Sequence, residues 1–422
     1  MVRLGDVIEA KYGKALPRPN RHGGDVPVYG SNGIVGWHDT PIATAPTIVI
    51  GRKGSFGEVN FSNVPCWPID TTYFIDNPGP YKMEFLEQLL RSLGLTGLDQ
   101  STAIPGLSRD RLYDIEVPVP TAGEQGKISQ LISAVEERRT TSLGHLRVAR
   151  RAIERFRQAV LAAACSGRLT ADWRDSRAGL GSSRDYLKDI QATRNQALGG
   201  RARQAIRPAD HPFEVPEGWA LSSLDAISLR VTSGSRDWSK FYGRGSGTFV
   251  MAQNVRKGYI DWSYRQAVDP PAEDASRERS QIQLGDLLVT IVGANTGDVG
   301  PVLDARPQHY VCQSVALIRP VDARVTPFLN LWFNSPNHGR GYFETCIYGA
   351  GRPHLSFDQL KSAPIALPTP GEQEEITRRV DDLLGLADVI RQRIETAARQ
   401  VDRSSQAILA KAFRGDLEGA AR

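Results

Sequence analysis

Two stretches of this chain place apolar residues alternately four and three positions apart over about five heptads. In the first they are Ile128, Ile132, Val135, Arg139, Ser142, Leu146, Ala149, Ile153, Phe156, Val160 and Ala163. In the second they are Ile376, Val380, Leu383, Ala387, Ile390, Ile394, Ala397, Val401, Ser404, Ile408 and Lys411. Nine of eleven are apolar in each, which predicts a long helix with a coiled-coil seam. The ends are legible too. Thr121-Ala-Gly-Glu124 and Thr369-Pro-Gly-Glu372 fit the T-x-x-E capping box, and Pro370 suits a first helical turn. Gly167 and Gly415 fall at the expected C-terminal caps. At ~1.5 Å per residue, about 40 helical residues make a rod of roughly 60 Å.

The helices belong to an internal repeat. Pro105-Gly-Leu-Ser-Arg-Asp-Arg-Leu112 recurs 248 residues later as Pro353-His-Leu-Ser-Phe-Asp-Gln-Leu360. The same offset carries Pro120 onto Pro368, Gly123-Glu-Gln125 onto Gly371-Glu-Gln373, and Gln158-Ala-Val-Leu-Ala162 onto Gln406-Ala-Ile-Leu-Ala410. It still holds for Gly167 and Leu169 against Gly415 and Leu417. An ungapped match of about 65 residues implies a duplicated module. Each seam then has an obvious partner in the other copy. A pseudo-two-fold axis crossing the rods predicts antiparallel helices, and parallel packing stays open.

Each helix follows a stretch of different character. Thr47–Ile50, Thr72–Ile75, Asp286–Val292 and Ser314–Ile318 are β-like runs between Gly-, Asn- and Asp-rich turns. Lys82–Leu93 and Pro327–Asn334 read as short helices. The expected class is α+β: two globular heads joined by two long antiparallel coiled-coil helices. The expected divisions are a first head over 1–122, a first helix over 123–169, and a linker over 170–217. A second head over 218–370 and a second helix over 371–417 follow. The head sequences diverge strongly, whereas the helices keep register.

Composition narrows the function. The chain has 422 residues, 40% of them hydrophobic and 23% charged, enough for two or three soluble folded units. No apolar run reaches a membrane span, and the start, Met-Val-Arg-Leu-Gly-Asp, lacks the apolar stretch of a signal peptide. Cys66, Cys165, Cys312 and Cys346 lie far apart with no CxxC, which argues against a zinc site or disulfide framework and suits a cytoplasmic location. The net charge of +5 is unevenly placed. The first helix carries 9 basic and 4 acidic residues, including Arg138, Arg139, Arg147, Arg150, Arg151, Arg155 and Arg157. That row suits a solvated face, a DNA backbone or an acidic protein partner.

No catalytic constellation emerges. Gly293-Ala-Asn-Thr-Gly297 lacks the lysine of a phosphate loop, and Gly243-Arg-Gly-Ser-Gly247 is not set between a strand and a helix. Asp269-Pro-Pro271 is followed by Ala272 where base-flipping methyltransferases need an aromatic ring. Asp6, Glu9 and Lys11 are too closely spaced for a nuclease metal site, and no metal or cofactor is expected. Binding chemistry is better represented. Arg52, Lys53 and Ser55 lie in a Gly-flanked turn directly after an apolar strand, a form that suits either a solvated hairpin tip or a phosphate and base contact. Lys14, Arg18, Arg21, Ser31, Asn32, Thr71 and Thr72 add donors in the first head. The second head offers Arg236, Trp238, Lys240, Gln253, Asn254, Asn295, Thr296, Gln313 and Arg352. Arg and Lys pair with guanine, Asn and Gln with adenine, so the clustering of these types in both heads points to DNA.

The plan resembles the specificity subunit (HsdS) of type I restriction-modification systems. The resemblance rests on the duplicated Leu-Ser-x-Asp-x-Leu to Pro-Thr-x-Gly-Glu-Gln passages and on Gln-Ala-[Val/Ile]-Leu-Ala ending in Gly-x-Leu. Phe213-Glu-Val-Pro-Glu-Gly-Trp219, Ile48–Ser55 and Trp67-Pro-Ile-Asp-Thr-Thr72 add to it. It implies two target-recognition domains that read the halves of a bipartite, asymmetric site in double-stranded DNA. It also implies a helical spacer that docks two methyltransferase subunits, which bind S-adenosylmethionine, and translocase–nuclease subunits. No cofactor is implied for this chain and no membrane is involved. A coiled-coil adaptor whose heads bind proteins is the competing reading.

Overall fold

The apolar runs Thr47–Ile50 and Thr72–Ile75 become central strands buried on both faces. The computed structural model describes residues 1–97, 106–177, 181–211, 213–234, 238, 241–270, 273–304, 306 and 308–414. It divides into two compact units, Met1–Ala149 with Ile394–Arg422, and Arg150–Arg393. Gly415, Leu417, Arg236 and Lys240 lie outside the described residues.

In the first unit the head contains β1 (Val2–Arg3), β2 (Lys11–Tyr12), β3 (Val26–Gly30), β4 (Gly33–His38), β5 (Thr47–Gly51), β6 (Val59–Ser62), β7 (Trp67–Pro68), β8 (Thr72–Ile75) and β9 (Glu116–Val117). A four-stranded antiparallel sheet has the order β2-β8-β5-β6, and a three-stranded sheet the order β4-β3-β7 with β3 parallel to β7. Ile48, Ile50, Tyr73 and Ile75 pack with Phe85, Leu86, Leu89 and Leu90 of the helix Met83–Ser92. Val49 and Phe74 point to the opposite face, with Tyr29. Burial on both sides is why these strands read as unbroken apolar runs rather than alternating ones.

The second unit contains β10 (Ala220–Ser223), β11 (Ser228–Ser233), β12 (Tyr242–Val250), β13 (Val255–Arg256), β14 (Tyr259–Ile260), β15 (Gln266–Val268), β16 (Leu287–Thr290), β17 (Val299–Pro301), β18 (His309–Val311), β19 (Val315–Pro320) and β20 (Pro364–Leu367). Its sheets run β11-β19-β16-β17 and β15-β12-β18, and β10 pairs with β20 as β1 pairs with β9. The two heads therefore share one topology, with the β13–β14 hairpin as an addition to the second. Their divergence is one of sequence. Even a close backbone approach is shared: a Cβ on Gly13 would stand 2.0 Å from the Ile69 carbonyl oxygen, and one on Gly234 would stand 1.7 Å from that of Val311. Only glycine fits at either place.

The long helices are Ala122–Cys165 and Pro370–Arg414. The Thr121 capping box forms, the amide of Thr121 donating to Glu124 Oε2 at 2.7 Å while the Glu124 amide reaches Thr121 Oγ1 at 3.4 Å. In the second copy only the Thr369 half of the box is made. Glu372 turns inward and accepts hydrogen bonds from Thr170 Oγ1 (2.7 Å), Trp219 Nε1 (3.0 Å) and the Arg174 guanidinium. The repeated glutamine does the same thing in both copies. Gln125 Nε2 donates to the Pro120 carbonyl and Gln373 Nε2 to that of Pro368, both at 2.9 Å. Past Cys165, Gly167 takes a left-handed conformation (φ +71°) as a C-terminal cap.

Within each unit the helices run antiparallel. In the first, Arg139 Nε meets Asp402 Oδ1 at 2.8 Å, and Ile132 shares a core with Leu409 and Phe413. In the second, Arg157 Nη1 meets Asp388 Oδ1 at 3.0 Å, and Arg379 Nη1 donates to the Leu169 carbonyl at 2.8 Å. The strict heptad seam is corrected in detail. Ile128, Ile132, Val135, Leu146, Ile153, Val160, Ile376, Val380, Leu383, Ile394 and Val401 are buried or half-buried. Phe156 (38% exposed), Ile390 (37%) and Ile408 (37%) are not. Near the C-terminal ends the buried positions become Ala164 on one helix and Ser405, Ala412 and Phe413 on the other. A straight α-helix drifts by ~20° per heptad from a 3.5-residue repeat, about one position over five heptads. The polar residues at Ser404 and Lys411 are thus explained by drift, and Arg139 by its ion pair.

The segment 170–217 carries the helices Ala171–Asp175 and Ser183–Leu198 and supplies Ile190 and Phe213 to the core of the second unit. That core also holds His338, 5% exposed, between the Trp332 and Phe213 rings (4.9 and 5.5 Å between centroids). Burial, with a lesser contribution from Arg168, pushes its pKa down to about 4. The unfolded chain therefore binds the extra proton first. The neutral ring's contribution to stability is complete above about pH 6.5 and is lost as pH falls toward 4. Wild-type stability is expected to drop by about 3 kcal/mol more than that of His338→Gln over this range, read by urea unfolding followed through tryptophan fluorescence.

Cys66, Cys165 and Cys312 are buried free thiols, and Cys346 is a half-buried one. Among the described residues no helix is long and apolar enough to cross a membrane, and no group of three His, Cys, Asp or Glu side chains is placed to hold a metal.

Candidate nucleic-acid interface

The turns at one end of the central strands come together in the same way in both heads. After β5, the Arg52 amide donates to the Thr71 carbonyl (2.9 Å), Leu107 N donates to Arg52 O (3.0 Å), and Lys53 bridges to Gly106. After β16, Ile291 N donates to Ser314 O (2.9 Å), Leu355 N to Ile291 O (2.9 Å), and Val292 bridges to His354. Counting along these ladders matches Lys53 with Val292, Asp70 with Gln313, and Thr71 with Ser314. The contacts of Ile69 N to Tyr29 O and Cys312 N to Val250 O likewise match Asn32 with Gln253. One backbone frame presents different side chains at corresponding points.

In the first head Lys14, Asn32, Lys53 and Ser55 are exposed and Thr71 half-buried. Lys14 is anchored beside the β7–β8 turn, its amide bound to the Pro68 carbonyl (3.0 Å) and its carbonyl to Trp67 Nε1 (2.8 Å). The frame uses other candidates for itself. Ser31 is buried, with Oγ within 2.6 Å of the Lys53 carbonyl oxygen and 2.7 Å of that of Thr71. Thr72 is fully buried and bonds the Ile69 carbonyl. Arg21 braces the Leu16 and Val35 carbonyls, and Arg18 is exposed on the turn Arg18–Asn20. Arg52 donates to the Asp70 carbonyl and lies over the Tyr12 and Tyr73 rings at 5.3 and 5.9 Å. Arg109 covers the same Tyr12 ring at 4.9 Å. Sequence reasoning missed this Arg109–Tyr12–Arg52 stack, because its members are far apart in the chain and carry no local motif.

In the second head Gln253, Gln313 and Arg352 are exposed and Asn295 half-buried. Gln313 and Arg352 line a notch of about 290 Å³ with Val292, Ser314 and His354. Three predicted contacts are structural instead. Trp238 is fully buried and donates from Nε1 to Asp274. Asn254 is buried, its Oδ1 accepting from Met251 N and its Nδ2 donating to the Asp261 and Tyr264 carbonyls. Thr296 is buried against the Gly293 and Pro353 carbonyls. A polar residue at a strand end serves the turn as readily as a ligand, and the sequence does not separate the two.

The model of the type I restriction modification DNA specificity domain matches residues 1–146 and 276–399. This chain belongs to the type I specificity family. The chain is 28% identical to the type I restriction enzyme EcoBI specificity subunit of Escherichia coli, over 75% of this chain and 61% of that one. It is 23% identical to the EcoDI specificity subunit of the same species, over 99% of this chain and 88% of that one. The match thus spans about three fifths of the EcoBI subunit. Among solved structures, one described as the structural basis of complex assembly and conformational transition of the type I R-M system superposes with a TM-score of 0.65 at 17% identity, covering 99% of this chain and 97% of that one. The HsdS subunit of Thermoanaerobacter tengcongensis gives 0.51 at 18%, with 99% and 96% covered. These structural likenesses speak to the fold. The family's first matched stretch contains the Lys53 turn, and the second contains Gln313 and Arg352. In this type I specificity chain Arg139 and Arg157 are engaged in ion pairs, whereas the side chains of Arg138, Arg147, Arg150, Arg151 and Arg155 are exposed.

Proposed function

We propose that this chain is the DNA-reading subunit of a type I restriction-modification complex, each head reading one half of a bipartite, asymmetric site. The observation that carries this is the duplicated strand-end frame, which holds Lys53, Asn32 and Asp70 in one head where the other holds Val292, Gln253 and Gln313. A shared frame with exchanged polar groups is what two different base sequences require of two related readers. The paired helices set the distance between half-sites and dock two methyltransferase subunits, which bring S-adenosylmethionine; translocase–nuclease subunits join for restriction. The chain itself needs no cofactor in this role.

The test is a methylome. The full chain, expressed with its methyltransferase in a methylation-deficient host, is expected to produce a two-part motif with a fixed gap that disappears when the chain is omitted. No motif from an intact complex would favour the protein-binding adaptor. Replacing residues 1–122 with the corresponding head of another family member is expected to change one half of the motif and leave the other half intact. A change in both halves would count against independent heads.

A further inference from the structure

The loop that carries Arg352 is unusually well fixed for an exposed segment. Tyr348 and His354 exchange backbone hydrogen bonds (3.1 and 2.8 Å), closing residues 349–353 into a small loop, and their rings stack at 5.8 Å between centroids. His354 bridges on its other side to Val292, so the loop base is the middle of a three-chain ladder. The Pro353 carbonyl accepts from Gly293 N (3.1 Å) and Thr296 Oγ1 (3.0 Å). Gly349 makes the turn at φ +91°, where a Cβ would stand 2.7 Å from the Arg352 carbonyl oxygen. The frame is braced from four directions, yet the Arg352 side chain is exposed and has no hydrogen bond or ion pair with any other described residue. Gln313, equally exposed and unpaired among the described residues, faces the same notch.

We propose that Arg352 reads a guanine of the second half-site through the major groove, with Gln313 reading an adenine of the same half-site across the notch. This rests on the DNA-reading function above and assigns its chemistry to two side chains. A guanidinium fork matches the O6 and N7 acceptors of guanine, and a carboxamide matches N6 and N7 of adenine. Fixing the loop before DNA arrives lowers the ordering cost that a free arginine would carry at binding. A base reader gains most from that, since its geometry must be reproduced at each encounter, whereas a phosphate contact tolerates a mobile cation.

The wild-type methylome supplies the motif, and the purified methyltransferase complex is then assayed on duplexes varied one base pair at a time. Arg352→Ala is expected to lower discrimination at one G·C position of one half-site by roughly 5- to 150-fold, with the other half-site read as before. Gly349→Ala, which leaves the arginine in place but crowds its carbonyl, is expected to relax the same position. Gln313→Ala is expected to relax an A·T position of the same half-site. Unaltered discrimination in Arg352→Ala would overturn the assignment. So would an equal loss on every duplex, the mark of a phosphate contact. A wild-type chain that yields no two-part motif would instead remove the DNA-reading function beneath it.

Discussion

Glu372→Ala is expected to destabilise the second unit by about 3–5 kcal/mol, the cost of removing one partner from a buried ion pair. The Glu372 side chain is 3% exposed and receives donors from Thr170, Arg174 and Trp219, so alanine leaves a guanidinium, a hydroxyl and an indole N–H without their acceptor. Denaturant unfolding followed by tryptophan fluorescence reads this directly, because Trp173, Trp219, Trp238, Trp262 and Trp332 all lie in that unit. Two comparisons isolate the cause. Glu124→Ala, at the repeat-equivalent position, removes one side of an exposed capping box and is expected to cost about 1 kcal/mol. Arg139→Ala breaks an ion pair whose side chains are 37% and 43% exposed, and should cost under about 1 kcal/mol. A Glu372→Ala effect no larger than these would show that the buried cluster does not hold the helix start in place.

Seven residues inserted after Ala149 and seven after Arg393 are expected to lengthen the gap in the methylated motif or to abolish methylation. Both insertions fall where the chain divides into units, so the Arg139–Asp402 and Arg157–Asp388 pairs are kept. Each adds about 10 Å of helix at 1.5 Å per residue, close to three base pairs. The added helix turns by only ~20° short of two full turns, whereas three base pairs turn B-DNA by roughly 100°. A longer gap therefore presents the wrong face of the groove, and weak methylation at a gap of about three more base pairs, or none, is the expected readout. An unchanged gap with full activity would sink the spacer role of the helices.

The candidate interface was half legible. Residue type and position at a strand end brought Asn32, Lys53 and Gln313 to exposed turns, whereas Arg352 sits on a loop that follows the helix Gly339–Cys346 and only its residue type drew attention to it. Ser31, Thr72, Asn254 and Thr296 have the same composition signal and the same turn setting, but they face inward. Backbone groups in these turns need partners, and short polar side chains supply them. Trp238 was misplaced for a different reason: a tryptophan among polar residues reads as a surface aromatic until the sheet that buries it is known.

By itself the sequence determined the duplication, the two long helices, the α+β heads and the family. Each rests on local periodicity or on a repeated string, and none needs a third dimension to be seen. The tertiary structure alone decided which partner each polar group takes. The same Thr-x-Gly-Glu string gives an exposed capping box at Glu124 and a buried ion-pair cluster at Glu372, because Trp219, Thr170 and Arg174 approach only the second. The shared topology of two dissimilar heads was likewise invisible in one dimension. Strand pairing is fixed by backbone hydrogen bonds and by the burial of both faces, which many different apolar residues satisfy equally well.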